Sequence, residues 1–357
     1  MIVIILCAWI ALAMRAPSIA AEAARQSCRV WANSVMPALF PFLALSLLLV
    51  SKWSAREKPG RFSIPAMILL GMLGGSPAGA RLLDAYGSRA RLSERAAQCA
   101  AACITTASPM FILGTLTAWL GGGSARDGML MLAAHIAAAL LAGAACFAWT
   151  RRIEYTADSA RSLQPEPTAP QQLRFGEAVS QASLAMLNIC GCMILFNVLL
   201  ECALALIAMP DYAAAALACA LEMAGGCARV AALPISRGAM AGAMCAAVTF
   251  GGVSVFMQNA SYLTKLPVRM TVQFAARVFA GALAYMLCRA LMGEWRYAIA
   301  AAALFVGGCL FAIPPNAQPD QRPSFSSLRL RRSMSAISMA RSSTCLSIAS
   351  QWSRFIR

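Results

Sequence analysis

The chain has 357 residues, of which 60% are hydrophobic and only 12% are charged, against roughly 25% charged in ordinary soluble domains. A soluble fold of this length could not bury so much apolar surface in one core, so the composition excludes a soluble globular protein. The 30 lysines and arginines outnumber the 14 acidic residues, but they lie between apolar runs, where the positive-inside rule and anionic lipid headgroups favour them. The basic excess therefore indicates a lipid bilayer as partner and argues against nucleic acid.

Apolar runs near the ~20 residues that cross a bilayer recur along the chain. In chain order they lie at residues 31–51, 64–80, 97–120, 128–150, 178–208, 212–233, 238–262, 272–292 and 296–313, after a first run at residues 1–14 that is short for a span. Helices are expected in lipid because their backbone hydrogen bonds close within the segment. The runs predict an all-α polytopic membrane protein of about 8–10 transmembrane or re-entrant helices with an internal two-fold repeat.

The polar and charged gaps between these runs predict how the chain is divided. The predicted organisation is an N-terminal apolar segment (1–27), a first membrane repeat (28–150), a polar linker (151–176), a second membrane repeat (177–292), a last hydrophobic helix (293–313) and a basic disordered tail (314–357). The linker is predicted from its prolines and polar residues. The tail is predicted from its serine and arginine content and the lack of a helical period.

The repeat is predicted from matching segments that keep their order and spacing. Pro37 and Asn188 are 151 residues apart, as are Gly74 and Gly225, and residues 105–111 pair with 249–256 at a slightly smaller offset. If all the runs of the first half cross the membrane, the two repeats are parallel. If run 64–80 is re-entrant, they are inverted, and the basic residues at 51–63 favour that arrangement.

Breaks are predicted within the apolar runs, at Gly74–Pro77 and at Gly225–Gly226. Proline removes a helical donor, and glycine lowers helix propensity. Freed backbone groups at membrane depth are tolerated only in a protein interior or beside a water-filled cavity. A matching pair of interrupted segments is typical of a transporter's binding site, where half-helix N-termini face an anionic substrate. The alternative is that these glycines and prolines only allow close helix packing.

Polar residues around the breaks are the candidates for solute binding. The predicted substrate-binding residues are Gly75, Ser76, Ser108, Asn188, Glu222, Gly226, Ser254, Gln258 and Asn259. Neutral donors suit an anionic heteroaromatic ligand because they bind it without burying an unpaired charge. Glu222 could pair with Arg229, coordinate a coupling cation or carry a proton. The alternative is helix–helix hydrogen bonding for the neutral residues and an interfacial position for Glu222.

The residue types of metal and catalytic sites are present but not arranged for that chemistry. Most of the 14 cysteines lie in apolar runs, where cysteine behaves as a small hydrophobe, and His135 stands alone in an Ala/Leu helix. The sequence has no zinc-type cysteine spacing, no His-Glu-x-x-His and no P-loop. We therefore expect no metal, no cofactor, no catalytic residue and no enzymatic activity. A coupling cation or proton and a homo-oligomer are left open.

The same segments carry a resemblance to a known family. Residues 31–50, 74–80, 107–114 and 250–258 resemble the YlbJ family of sporulation integral membrane proteins, within the Gate-domain (nucleoside recognition) families. The likeness covers roughly residues 28–292. Two positions depart from that family's pattern, since Ser76 stands where tyrosine is usual and Phe256 where histidine is usual.

The resemblance implies a role in endospore formation. It implies a multi-pass protein of the forespore or mother-cell membrane that moves a small anionic solute, with dipicolinate as the expected solute. The leading hypothesis is therefore a permease that works by alternating access between its two halves. The second is a structural or assembly protein of the spore envelope that transports nothing.

Overall fold

The structure, a computed structural model, describes residues 2–56, 63–89, 92–104, 106–150 and 173–311. In these ranges every regular element is a helix. The helices are α1 (Ile2–Arg15), α2 (Pro17–Val30), α3 (Met36–Arg56), α4 (Ser63–Gly74), α5 (Ala78–Arg89), α6 (Glu94–Ile104), α7 (Thr117–Trp119), α8 (Ala125–Trp149), α9 (Phe175–Leu204), α10 (Asp211–Leu221), α11 (Met223–Ala231), α12 (Arg237–Phe250), α13 (Gly252–Tyr262), α14 (Met270–Leu291) and α15 (Arg296–Phe311). Most of the predicted linker and the whole predicted tail lie outside the described residues.

Several of these helices are long and apolar enough to cross a membrane. Within the described residues five meet that criterion: Pro17–Leu49, Ala125–Trp149, Phe175–Leu204, Arg237–Tyr262 and Met270–Leu291. Apolar side chains are exposed on their outer faces, as with Leu184, Leu187 and Leu195 on α9. Such a surface is stable only where acyl chains solvate it. The chain is an all-α polytopic membrane protein, as predicted.

Helices α2 and α3 form one continuous helix that packs against α9. A π-helical turn, Trp31–Val35, joins α2 to α3 without a break. The Trp31 indole Nε1 donates to the Met186 carbonyl of α9 over 3.0 Å. The predicted boundary at residues 27 and 28 therefore lies inside a helix.

Helix α14 packs against α8, α12 and α15. Small residues allow this close approach, because Ala276, Ala280 and Ala284 on α14 are fully buried. A Cβ added to Gly281 would lie 3.1 Å from Cβ of Phe250 on α12. Small residues at helix contacts are the usual way in which membrane helices approach each other.

Capping side chains fix the start of α8 and tie it to α12. Ser124 Oγ accepts from the Asp127 amide at 3.3 Å, while the Asp127 carboxylate accepts from the Ser124 amide at 3.0 Å. Such a reciprocal pair satisfies two backbone donors that the first helical turn leaves open. Arg237, the first residue of α12, donates to Asp127 over 2.6 Å. The two helices therefore start at the same end of the molecule.

The turn between α14 and α15 gives a pH-dependent contribution to stability. Arg289 donates to both carboxylate oxygens of Glu294, at 2.7 and 2.6 Å. This pairing holds the pKa of Glu294 below its ordinary value of about 4.3. A carboxyl whose pKa is lower in the folded state stabilises that state above its ordinary pKa, and the contribution is lost as the pH falls through the folded-state pKa.

We therefore expect the unfolding temperature of the purified protein to fall more steeply below about pH 4 in the wild type than in Glu294→Gln. Thermal unfolding in detergent between neutral and acidic pH measures the difference. The matched control is Glu22→Gln, since the Glu22–Arg25 pair on α2 is largely exposed. Equal acid slopes for the wild type and Glu294→Gln would refute the assignment.

Candidate solute site at the broken helices

The predicted break at Gly74–Pro77 is confirmed, and it packs against a second break in the same half. Helix α4 ends at Gly74, and α5 begins at Ala78. Gly75 has φ +66°, and a Cβ there would lie 2.6 Å from the Ser108 amide nitrogen. The Ser76 amide donates to the Thr106 carbonyl at 2.6 Å. The interruption between α4 and α5 thus lies directly against the non-helical backbone that follows α6.

The predicted break at Gly225–Gly226 is wrong, because the interruption lies at Glu222. Glu222 is extended, with φ −144° and ψ 122°, and separates α10 from α11. Its carboxylate oxygens accept from the amides of Ala224, at 2.9 Å, and Gly225, at 2.6 Å. Gly225 and Gly226 lie within α11, where a Cβ on Gly226 would come 2.5 Å from Cα of Cys219 on α10. Gly226 therefore provides close helix packing, and the capping carboxylate determines where α11 starts.

A further break separates α12 from α13. Gly251 has φ +89° and Gly252 has φ +73°, a left-handed region that residues with a side chain rarely adopt. A Cβ on Gly252 would lie 2.9 Å from the Leu221 carbonyl oxygen and 3.2 Å from the Glu222 nitrogen. As in the first half, two interruptions of the second half are packed against each other.

The two halves meet where α13 reaches the first break. Ser76 Oγ donates to Asn259 Oδ1 at 2.5 Å. Beside it, Arg81 donates to the Tyr262 hydroxyl at 3.0 Å, and its guanidinium lies 4.4 Å from the centre of that ring. Asp84 Oδ1 accepts from the Lys265 amide at 2.8 Å. Polar contacts therefore join α5 and the first break to α13 and the residues that follow it.

The structure brings some of the predicted site residues together and separates others. Gly75, Ser76, Ser108 and Asn259 lie at one junction. Ser254 and Gln258 lie on α13 and bond to each other at 3.3 Å. Glu222 and Gly226 lie at the second-half break described above, and Asn188 is exposed on α9.

The proposed pairing of Glu222 with Arg229 is wrong. Arg229 instead pairs with Glu201 on α9. Glu222 uses both carboxylate oxygens to cap α11, so its observed role is to satisfy backbone donors at a helix start. This role was not among those expected for it.

Arg277, a buried cation on α14, was not among the predicted site residues. The residue is 3% exposed, and its Nε donates to the Phe250 carbonyl at 3.2 Å. Its Nη1 and Nη2 atoms have no hydrogen-bond partner among the described residues. The signal was available, because an ionisable residue inside an apolar run is a functional candidate by default.

The Arg277 side chain lines a small cavity next to the junction. The cavity has room for about one water molecule. It is lined by Phe250, Phe256, Asn259, Ala260, Leu263, Met270, Gln273 and Arg277. Asn259 therefore belongs both to the junction with Ser76 and to the wall of this cavity.

His135 on α8 is a buried core residue near the same breaks. The Thr249 hydroxyl donates to the Cys245 carbonyl at 2.6 Å, so it can only accept from His135 Nδ1, which lies 2.7 Å away. The ring is therefore protonated on Nδ1. The other ring nitrogen, Nε2, has no hydrogen-bond partner among the described residues.

The fold and the site define the class of this protein. It is a multi-pass α-helical membrane protein with interrupted helices in its interior. The chain is similar to the Sporulation integral membrane protein YlbJ of Bacillus subtilis (strain 168), with 26% identity over 210 residues. The match covers 51% of each chain, so this chain spans about half the length of the curated relative it matches. The similarity supports a YlbJ-like family, as the sequence motifs predicted. No protein-family profile and no solved structure matches the chain.

Proposed function

We propose that this protein is a permease that moves a small anionic solute across a membrane through the region where its broken helices meet. The observation that carries the proposal is the contact between Ser76, in the first break, and Asn259, on the half-helix that follows Gly251. Interrupted backbone at membrane depth is tolerated where it lines a cavity, and paired interruptions are typical of transporter binding sites.

Corresponding contacts between the breaks of each half support the proposed two-fold repeat. In the first half, Gly75 packs against Ser108, and in the second half Gly252 packs against Leu221. Each contact brings together two consecutive interruptions, in the same order along the chain. Two similar units that meet at polar contacts suit a mechanism in which one unit moves against the other to expose the site to each side in turn.

The solute is proposed from the chemistry of the site and from the relative. The curated relative is named a sporulation integral membrane protein, and the family resemblance implies dipicolinate as the solute and the forespore or mother-cell membrane as the location. Hydroxyl and amide groups such as those of Ser76 and Asn259 bind carboxylate oxygens without adding a charge of their own. The buried Arg277 guanidinium adds a positive charge to the cavity wall.

A structural role in the spore envelope is the second candidate, and a specific observation favours it. Gly226 and Glu222 serve helix packing and capping, so part of the pattern shared by the two halves is explained without a solute. On this alternative the breaks only hold the helices together.

Uptake of radiolabelled dipicolinate by proteoliposomes tests the permease. We expect saturable uptake with the wild type and uptake about 5- to 150-fold lower with Asn259→Ala, because the variant lacks an amide contact to the solute worth about 1–3 kcal/mol. The matched control is Asn33→Ala, since Asn33 is exposed on the π-helical turn after α2. Wild-type uptake no greater than that of empty vesicles would exclude the permease and leave the structural role.

A further inference from the structure

The start of α13 lies at a break and lacks the kind of side-chain cap that α11 and α12 have. The helix begins at Gly252, after Gly251 in the left-handed region, and no side chain caps it. By contrast, Glu222 caps α11 and Ser236 caps α12. The first amides of a helix have no partner within the helix and carry a partial positive charge, so they favour an anion. An uncapped start is not by itself a binding site.

An independent observation points to a ligand at the same place. A Cβ on Gly251 would lie 3.8 Å from Nη2 of Arg277, and Nε of the same side chain bonds to the Phe250 carbonyl next to Gly251. The guanidinium is therefore held beside the start of α13, almost fully buried, with Nη1 and Nη2 unpartnered among the described residues. A buried charge without a counter-ion is unfavourable unless something pairs with it.

The start of α11 shows what such a position accepts. There the Glu222 carboxylate takes up two backbone amides through its two oxygens. Helix α13 lacks such a carboxylate but has a cation beside its first turn. Helix α11 thus carries a carboxylate at its start, whereas α13 does not. A soluble anion would supply the group that α13 lacks.

We propose that Arg277 and the first turn of α13 form a binding site for a carboxylate or phosphate group of a small solute. The guanidinium offers two parallel N–H donors to the anion, as arginine does for planar oxyanions. Asn259, on the wall of the same cavity, contributes an amide donor once its contact with Ser76 opens. The cavity has room for about one water molecule in this conformation, so binding requires the two halves to separate at the Ser76–Asn259 contact.

This inference rests on the proposed function and deepens it by naming the residue that recognises the charge. Because Arg277 has no counter-ion within the described part of the chain, it stabilises the bound anion at the expense of the empty protein. Replacing it with methionine, which has a similar length and no charge, should leave the empty protein at least as stable as the wild type. If Arg277 served only the fold, the empty Arg277→Met protein would be less stable than the wild type.

Thermal unfolding of the full-length protein in detergent tests the site with three probes: dipicolinate, inorganic phosphate and the uncharged pyridine-2,6-dicarboxamide. We expect dipicolinate or phosphate, but not the diamide, to raise the unfolding temperature of the wild type. Arg277→Met should lose that rise, and Arg277→Lys should keep part of it. The matched control is Arg296→Met, since Arg296 is an exposed arginine at the start of α15 and should respond as the wild type does.

Dipicolinate uptake by the same variants separates the two proposals. Loss of a charge-assisted contact should lower uptake by Arg277→Met about 10- to 100-fold. Wild-type uptake that Arg277→Met leaves unchanged would overturn the site and leave the permease. Binding that depends on Arg277 without any wild-type uptake would overturn the permease and leave the site. The site is also overturned if neither anion stabilises the wild type, or if Arg277→Met fails to fold.

Discussion

Gly75→Ala should destabilise the protein by about 2–4 kcal/mol, because it combines two separate costs. The backbone at Gly75 has φ +66°, a conformation that residues with a side chain adopt only at an energetic cost. The added Cβ would also lie 2.6 Å from the nitrogen and 2.7 Å from Cα of Ser108. Both are backbone atoms, so the two breaks would have to move apart. Unfolding temperature and the yield of monodisperse protein in detergent measure the effect.

Gly122→Ala separates the two costs. Gly122 has φ +76°, but no atom lies within 4 Å of the position that its Cβ would take. The control therefore carries the conformational cost without the clash, and we expect a loss of only about 1 kcal/mol. Equal losses for the two variants would show that the packing between the breaks contributes nothing.

Glu222→Ala should cost about 1–3 kcal/mol, because it leaves the buried Ala224 amide and the partly buried Gly225 amide without an acceptor. Glu222 is itself 7% exposed, so water cannot readily replace its carboxylate. Glu222→Gln keeps one acceptor oxygen and should lose less than half as much stability. Thermal unfolding of the two variants gives the stability, and dipicolinate uptake gives the activity.

Transport by Glu222→Gln also distinguishes the capping role from the coupling roles expected for Glu222. If its carboxylate only caps α11, then Glu222→Gln should transport nearly as well as the wild type. If it carries a coupling proton or cation, then Glu222→Gln should fold well and fail to transport. Ser236→Ala, which removes a single acceptor for the Ala239 amide at the start of α12, is the matched control and should cost about 1 kcal/mol. A greater loss in Ser236→Ala than in Glu222→Ala would contradict the capping account.

The parts of the fold that depend on local chemistry could be predicted from the sequence. The lengths of the apolar runs predicted the membrane helices, since the bilayer sets a minimum length and lipid demands closed backbone hydrogen bonds. The break at Gly74–Pro77 was predictable because proline and glycine act on their own backbone. The break at Glu222 was not predictable, because Gly225 and Gly226 could either interrupt a helix or allow another helix to approach.

The parts of the site that depend on tertiary contacts could not be predicted. Nothing in the sequence says that Arg229 pairs with Glu201 and leaves Glu222 to cap its own helix, or that Asn188 faces outwards on α9. Arg277 could have been selected as a charge within an apolar run. Its position beside Gly251 and its lack of a partner among the described residues emerge only when α12, α13 and α14 are packed together.

Accessibility of the junction to water tests the central claim most directly. Ser76→Cys and Asn259→Cys, each introduced into a variant without the native cysteines, can be treated in membranes with a water-soluble thiol reagent from either side. Leu187→Cys, at a position 59% exposed on the outer face of α9, is the control for a side chain surrounded by lipid. The account predicts that both junction positions are modified, that dipicolinate slows the modification, and that the control does not react. Junction positions as unreactive as Leu187→Cys from both sides would contradict a solute path between the broken helices.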